Sequence, residues 1–403
     1  MKLDPGPSPP PVKGFRFSGV HGGLKSRGRR DFALIVSDKP AACAAVFTLN
    51  RQAAAPVVIA RDHAGRGRAQ AIMINSGNAN AATGEKGMKF AEWSCRELAS
   101  RLGIATELVV PCSTGIIGVQ LERTPFARAI SLGVDGLSRK GFAAAARAIM
   151  TSDAFPKWAH RKVVSESGTA MVAGMAKGAG MIHPNMATML AFVLTDAPLA
   201  TGAASSILRD AVASTFNRIS VDGDTSTNDT VVLLASGQSA GEQIENEGTA
   251  GYADVSAAVR EVMDDLARMV VRDGEGGTHV VDIVVAGAAD ADAADKVARA
   301  IGRSLLFKCA VAGADPNWGR IVCAIGNSEV DCDSDRISID VDDVALVRGG
   351  TVVSDEAVRS ARKTMRHEAW TLRVGLGDGA GSATVITCDL TEDYVRFNSA
   401  YSS

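Results

Sequence analysis

Short apolar runs bounded by glycine, asparagine and aspartate recur in the first part of the chain. Runs of this length that are rich in valine and isoleucine are typical of β-strands. We therefore predict strands at residues 32–37, 45–48, 56–60 and 71–75.

A helical pattern follows. Between residues 89 and 102 the apolar side chains Phe90, Trp93, Leu98 and Leu102 recur at helical spacing, and Gly103 follows as a C-terminal cap. The same spacing predicts further helices at 141–150, 203–216, 255–269, 292–305 and 355–365. Strands are predicted at 280–285, 336–341, 370–374 and 383–388.

These alternating patterns favour a mixed α/β protein in which sheets are flanked by helices. Residues 1–14 are rich in proline and predict a flexible leader. The helices and strands from about residue 282 to 403 predict a smaller C-terminal α/β subdomain. The pattern does not give the order of the strands.

Composition narrows the functional class. The chain has 403 residues, of which 46% are apolar and 22% charged, and its net charge is −2. Neither disorder nor a broad nucleic-acid surface is indicated, so the expected partner is a small molecule. The seven cysteines form no CxxC pair of the kind that binds zinc. With no signal-peptide core and no run long enough to span a membrane, a cytoplasmic protein is predicted.

Thr188 is the candidate nucleophile. It follows Ala187 after the turn-rich run 177–186 and precedes an apolar segment. If the peptide bond between Ala187 and Thr188 were cut, the new α-amine could act as the base for the threonine hydroxyl. The dipeptide taken by itself favours the start of a buried strand instead.

Three other segments are candidate parts of an acyl-transfer site. Thr114 and Gly115 offer a hydroxyl and a flexible backbone N–H for an oxyanion, although such a string is also ordinary turn chemistry. Lys177 can pair with a substrate carboxylate or be a surface lysine. Glu275, between glycines, can meet a substrate amine or lie in a solvated turn.

Other chemistries find no support in the sequence. The six histidines form no zinc-binding or triad pattern, and His183 is assigned a packing or hydrogen-bonding role. The run 217–229 lacks the glycine and glutamate positions of a calcium loop, so a hydrogen-bonded turn network is predicted there. The glycines around Lys177 do not match a nucleotide-binding motif.

Several motifs together resemble the ornithine acetyltransferase family, the self-cleaving glutamate N-acetyltransferases of arginine biosynthesis. The resemblance spans nearly the whole chain, and it implies the DmpA/ornithine-acetyltransferase-like fold. The matching segments are 75–80 with 83–84, 111–118, 151–153, 177–190, 222–229, 273–276, 314–320 and 389–403. Gly277 and His279 depart from the family pattern, which has alanine and lysine there.

The resemblance also implies roles and a reaction. Thr114 and Gly115 form the oxyanion hole, and cleavage between Ala187 and Thr188 yields an α chain (15–187 after the leader) and a β chain (188–403), two copies of each associating. Acetyl passes from N2-acetyl-L-ornithine through Thr188 to L-glutamate by a ping-pong mechanism without metal or cofactor. The implied substrate contacts are Thr151, Lys177, Thr188, Glu275, Asn398 and Ser403.

Three questions stay open at this level. The sequence does not decide whether acetyl-CoA is a second acetyl donor. A related N-terminal-nucleophile aminopeptidase would share the architecture and the nucleophile, and a non-catalytic binding paralogue would share the fold. The glycine-flanked Glu275 and the C-terminal segment argue against the aminopeptidase, and the intact set of candidate site residues argues against the paralogue.

Overall fold

The computed structural model describes residues 6–25, 28–165, 168–183 and 189–400. Within these residues the chain forms two units, each containing one β-sheet. The larger unit comprises residues 6–217 and 224–270, and the smaller unit comprises residues 218–223 and 271–400. Its main segment therefore starts at residue 271, whereas the sequence pattern placed the start of a C-terminal subdomain at about residue 282.

The elements are numbered in chain order. The strands are β1 (Phe15–Val20), β2 (Phe32–Phe47), β3 (Arg68–Asn78), β4 (Val109–Ile116), β5 (Lys157–Ser165), β6 (Gly168–Lys177), β7 (Leu190–Thr195), β8 (Ile219–Ser220), β9 (Thr230–Ala235), β10 (Val280–Ala288), β11 (Ser338–Val341), β12 (Val344–Arg348), β13 (Thr351–Val352), β14 (Ala369–Gly375) and β15 (Gly381–Cys388). The α-helices are α1 (Ala55–Gly65), α2 (Gly84–Leu102), α3 (Arg123–Asp135), α4 (Phe142–Ala148), α5 (Thr201–Ser214), α6 (Tyr252–Arg272), α7 (Ala291–Arg303), α8 (Leu305–Ala312), α9 (Trp318–Gly326), α10 (Asp355–Thr364) and α11 (Glu392–Ala400).

The sheet of the larger unit is mixed and buried on both faces. Its strand order is β4-β3-β2-β9-β7-β6-β5, with β1 paired to β2. Ala33 and Ile35 of β2 pack into one hydrophobic cluster, while Phe32 and Leu34 pack into another with residues of α2 and α3. Because successive side chains of a strand point to opposite faces, a sheet covered on both sides needs nearly continuous apolar strands. This explains the apolar runs in the sequence.

The prediction of a strand at residues 56–60 is wrong, because these residues belong to α1. Pro56 lies in the first turn, where its missing N–H costs no intrahelical hydrogen bond. The buried residues Val57, Ala60 and Ala64 recur at intervals of three and four, which is the spacing of one helix face. The apolar run was too short to distinguish this face from a strand.

Two other boundaries differ from the predictions. The strands predicted at 32–37 and 45–48 form the single strand β2. The polar segment around Pro40 lies within this strand, at the point where the register with β3 shifts between Val36 and Ala41. The helix predicted at 292–305 ends at Arg303. Ser304 is extended there, and its side chain accepts a hydrogen bond from the Phe307 N–H at the start of α8.

The remaining predicted helices are confirmed, with ends shifted by a few residues. Gly103 caps α2 in the left-handed conformation, with φ of 67°. The predicted mixed α/β fold is also confirmed. No helix in the described part of the chain is both long and apolar enough to cross a membrane.

The smaller unit has a second mixed sheet, in the order β13-β12-β11-β14-β10-β15-β8. Central β10 runs parallel to β14 and antiparallel to β15. Val281, Ile283 and Val285 of β10 alternate inward and form a hydrophobic core with α7. The sheet therefore fixes the end of β15, which leads into the C-terminal helix α11.

Candidate active site

Gly115, at the end of β4, occupies a position that requires glycine. Its φ is +129°, and a Cβ atom added there would lie 2.3 Å from the carbonyl carbon of Gly77. Strands β3 and β4 run parallel and pair Gly77 with Gly115. Any side chain at residue 115 would force the two backbones apart. The close approach fixes the backbone around Gly115, one of the two predicted oxyanion-hole residues.

Thr114 is buried and contacts Lys177, which ends β6. The Lys177 ammonium Nζ lies 3.2 Å from Thr114 Oγ1. Because an ammonium group donates and cannot accept, the threonine oxygen is the acceptor in this contact. The Thr114 hydroxyl proton is therefore available to another acceptor, such as a developing oxyanion. The β6–β7 register pairs Lys177 with Leu190, which follows Thr188 by two positions in the sequence.

Asp153 organises the residues around Lys177. Its buried carboxylate accepts hydrogen bonds from the Gly178 N–H at 2.7 Å and the Thr151 N–H at 2.8 Å. It also forms a fully buried ion pair with Lys157 at 2.7 Å. Burial alone would raise the pKa of Asp153, but the positive charges of Lys157 and Lys177 and the hydrogen bonds hold it well below its usual range. The carboxylate is therefore ionised throughout the neutral range.

We call Thr114, Asp153, Lys157 and Lys177 the lysine cluster. Next to Thr114, the Asn228 side chain links the chain after β3 to β4. Its amide donates to the carbonyl oxygens of Ala79 at 2.7 Å and Ser113 at 2.9 Å. Asn228 belongs to the run 217–229, and in this run the Thr225 hydroxyl also donates to the His183 carbonyl oxygen at 3.0 Å. These bonds agree with the hydrogen-bonded turn network predicted for this run.

In the smaller unit, Glu275 and Asn398 form a second group, which we call the glutamate cluster. The Asn398 side-chain amide donates to Glu275 Oε2 at 3.0 Å. Glu275 is half-buried and Asn398 is exposed on α11. Gly276 has φ of +70°, and a Cβ there would lie 2.4 Å from the Tyr394 nitrogen, so glycine lets α11 approach the turn. The Thr391 hydroxyl donates to the Gly276 carbonyl oxygen at 2.6 Å.

Asp389 anchors the other side of this turn. Its buried carboxylate accepts from the backbone N–H groups of Thr278 at 2.7 Å and His279 at 3.0 Å, and it lies 3.0 Å from His279 Nδ1. Burial would raise the pKa of Asp389, but its bonds to His279 and Thr278 lower it. The His279 ring thus lies beside a carboxylate. Buried Lys308 donates to Thr387 Oγ1 at 2.9 Å and to the Cys388 carbonyl oxygen.

The structure thus brings the predicted residues into two local groups. Thr114 lies with Lys177, Thr151 lies beside Asp153, and Glu275 lies with Asn398. The predicted cleavage residues Ala187 and Thr188, and the predicted contact Ser403, lie outside the described residues. No group of three or more His, Cys, Asp or Glu side chains in the described ranges is arranged to hold a metal ion.

Sequence reasoning missed the roles of Asp153 and Lys157. Asp153 lies in a matching segment, residues 151–153, but the motif predicts no contact for it. Lys157 lies four residues later outside any helix, so helical spacing gives no signal for the pair. No local pattern signals the pair, because β5 is not an apolar run and the burial of Lys157 depends on how this strand packs.

Comparison with known proteins supports the family. Residues 16–403 match the ArgJ family model. The arginine biosynthesis bifunctional protein ArgJ of Geobacter sulfurreducens is 44% identical over 97% of this chain and 99% of its own length. A crystal structure of ArgJ from Bacillus halodurans is 38% identical, covers 52% of this chain and 98% of that chain, and gives a TM-score of 0.50.

A further solved structure is the ornithine acetyltransferase of Mycobacterium tuberculosis complexed with ornithine. It is 33% identical, covers 43% of this chain and 93% of that chain, and has a TM-score of 0.39. The match to the family model covers nearly the entire sequence, and the Geobacter relative aligns with almost all of it. The chain therefore belongs to the ArgJ family of bifunctional arginine-biosynthesis enzymes and is an acyltransferase.

Proposed function

We propose that this enzyme is a glutamate N-acetyltransferase that moves acetyl from N2-acetyl-L-ornithine to L-glutamate through an acetyl-Thr188 intermediate. The observation that carries the proposal is the buried contact between Lys177 Nζ and Thr114 Oγ1, next to Gly115 at a position of β4 that requires glycine. This contact leaves the Thr114 hydroxyl proton for an oxyanion. Acyl transfer needs such donors beside its nucleophile.

Maturation begins with attack of the Thr188 hydroxyl on the Ala187 carbonyl carbon. The peptide C–N bond breaks as the acyl group moves to the oxygen, and water then hydrolyses the ester, leaving a free α-amine on Thr188. The solved Bacillus chain supports a two-chain enzyme. The match includes 98% of that chain but only 52% of this one, as expected if the solved chain corresponds to one of two cleavage products. The Geobacter sequence, by contrast, aligns with 97% of this chain. The proposed assembly has two α and two β chains.

In the transfer reaction, the Thr188 α-amine accepts the hydroxyl proton, because an α-amino group has a pKa of about 7.7–8.0 and is partly neutral near pH 7. The hydroxyl oxygen attacks the acetyl carbonyl, Thr114 and Gly115 stabilise the oxyanion, and ornithine leaves with a protonated amine. The glutamate amine then attacks the carbonyl carbon of acetyl-Thr188. The ester C–O bond breaks, Thr188 regains its hydroxyl proton, and N-acetylglutamate is released. These steps use protein groups and substrates and require no metal or organic cofactor.

The other predicted residues bind the substrates. Lys177 pairs with a substrate carboxylate, and the Glu275 carboxylate, oriented by Asn398, receives a substrate amine. Thr151 and Ser403 complete the contacts. Acetyl-CoA is included in the proposal as a second acetyl donor.

The test combines chain cleavage with product analysis. Purified protein is incubated with N2-acetylornithine and glutamate, without coenzyme A, and N-acetylglutamate is followed by mass spectrometry. Wild type should run as two chains on a denaturing gel and form the product, whereas Thr188→Ala should remain one chain and form none. Thr188→Ser is the matched control and should retain both activities in part. Two chains in Thr188→Ala would refute self-cleavage at this residue, and free acetate without N-acetylglutamate would indicate a hydrolase.

A further inference from the structure

A pocket in the larger unit is lined by cationic side chains that the reaction above does not use. Its volume is about 360 Å³, and Met150 and Pro156 contribute its remaining walls. We call its charged members the cationic pocket: Lys25, Arg29, Arg30 and Arg147.

The three arginines of the cationic pocket make no ion pair with a carboxylate among the described residues. Arg30 donates to the Gly19 carbonyl oxygen, and the Arg147 guanidinium lies 5.6 Å from the centre of the Trp158 ring. Arg29 and Arg147 are exposed. Elsewhere on this surface, by contrast, arginines such as Arg96 and Arg101 pair with glutamates one helical turn away. The pocket therefore concentrates positive charge that no described carboxylate pairs with directly.

Lys25 is fixed in place by its own loop. The buried Asp31 carboxylate accepts the backbone N–H groups of residues 22–25, so its hydrogen-bonding capacity is largely used. Lys25 Nζ donates to the carbonyl oxygens of Met150 and Arg30, which leaves one of its three N–H donors for a ligand. Burial first, and Arg29 second, lower the pKa of Lys25 to about 8, so the group remains mostly charged at pH 7.

The pocket adjoins the lysine cluster. A Cβ atom on Gly77 would lie 2.8 Å from Lys25 Cγ, so the lysine stem packs directly on Gly77. Gly77 in turn pairs with Gly115 of the proposed oxyanion hole. Met150, whose carbonyl oxygen accepts from Lys25, immediately precedes Thr151. A ligand that occupies the pocket can therefore extend from it towards the acyl-transfer residues.

We propose that the cationic pocket binds phosphate groups of a phosphorylated acyl donor, a coenzyme A thioester. This inference rests on the proposed acetyltransferase function and locates part of its second donor. Acetylornithine and glutamate present isolated carboxylates, whereas three arginines and a lysine in one pocket match a multiply charged phosphate group. The volume is near the lower end of the ~300–1,000 Å³ of small-molecule sites, so the pocket holds one end of a larger ligand.

The test measures binding separately from turnover. The double variant Arg29→Gln/Arg147→Gln removes two exposed charges, and Arg123→Gln/Arg128→Gln is the matched control. Arg123 also stacks on a tryptophan, at 5.3 Å from the Trp93 ring, and both control residues are exposed. We expect the Kd of free coenzyme A, measured by calorimetry on the full protein, to rise at least tenfold in the first variant. In the control it should change less than twofold.

Steady-state kinetics complete the test. The first variant should lose at least tenfold more kcat/KM with acetyl-CoA than with acetylornithine. An unchanged Kd for coenzyme A, or an equal loss with both donors, would overturn the assignment. If wild type bound inorganic pyrophosphate in an arginine-dependent way but not coenzyme A, the phosphate site would stand and the thioester would be rejected as its source. Because calorimetry needs no turnover, failure of acetyl transfer itself would be seen separately.

Discussion

The lysine cluster and the glutamate cluster are built in opposite ways. In the lysine cluster, Asp153 and Lys157 are buried, and their side chains form a fully buried ion pair. In the glutamate cluster, a half-buried carboxylate meets an exposed amide across 3.0 Å. Low dielectric strengthens the buried interactions and makes each of them costly to break. The first cluster is therefore ordered before substrate arrives, and the second can adjust to what it binds.

This difference matches the roles proposed for the two clusters. An oxyanion hole works by holding its donors fixed while charge develops, so that reorganisation costs little. A group that receives and releases amines in each half of a ping-pong cycle benefits from access to solvent. Substitutions should therefore affect stability in the lysine cluster and mainly turnover in the glutamate cluster.

The largest effect is expected for Asp153→Asn. The substitution removes the carboxylate charge from the buried ion pair with Lys157, and breaking a buried pair in this way typically costs about 3–5 kcal/mol of the free energy of unfolding. Urea unfolding at pH 7 measures this loss. The double variant Asp153→Asn/Lys157→Met is the control and should recover part of the stability, because neither buried charge remains. A loss below about 1 kcal/mol in Asp153→Asn would contradict the buried-pair description.

The pH dependence provides a second readout of the same pair. The folded-state pKa of Asp153 is depressed, so its stabilising contribution is fully present above its unfolded pKa of about 3.9. It is lost as pH falls through the lower folded value, where the carboxylate takes up a proton. Wild-type stability should therefore fall more steeply below pH 4 than that of Asp153→Asn.

The same comparison shows what the sequence could predict. Short motifs identified Thr114, Lys177, Glu275 and Asn398, and the structure places them in contacting pairs. Motifs signal residues whose chemistry is unusual for their surroundings, such as a glutamate between glycines. The charge on Lys157 gave no such signal, because its pairing depends on how strand β5 packs beside the loop that contains Asp153.

Helix and strand assignments failed for a related reason. Long amphipathic segments such as α2 and α6 were found, because many residues repeat the helical spacing. The five residues at 56–60 contain too little periodicity, and the packing of α1 against β2 and β4 decides their conformation. Strand order, likewise, depends on contacts between distant segments that no local pattern encodes.

A smaller effect, on turnover alone, is expected for Glu275→Gln. The amide keeps the shape but loses the charge that we propose receives a substrate amine, so kcat/KM should fall by about 10- to 100-fold, as for a charged hydrogen bond worth about 1.5–3 kcal/mol. Chain cleavage and the thermal midpoint should be unchanged. Glu392→Gln, an exposed glutamate at the start of α11, is the matched control. Uncut Glu275→Gln protein would instead assign the residue to maturation.

The smallest effect is expected for Asn398→Ala. Asn398 orients Glu275 through one exposed hydrogen bond, whose net worth is about 0.5–1.5 kcal/mol, so kcat/KM should fall only about two- to tenfold. If Asn398 acts through Glu275, the double variant Glu275→Gln/Asn398→Ala should be no worse than Glu275→Gln, because the group being oriented has already lost its charge. Additive losses in this cycle would mean that Asn398 contacts the substrate independently. The glutamate cluster would then be two separate contacts rather than one oriented carboxylate.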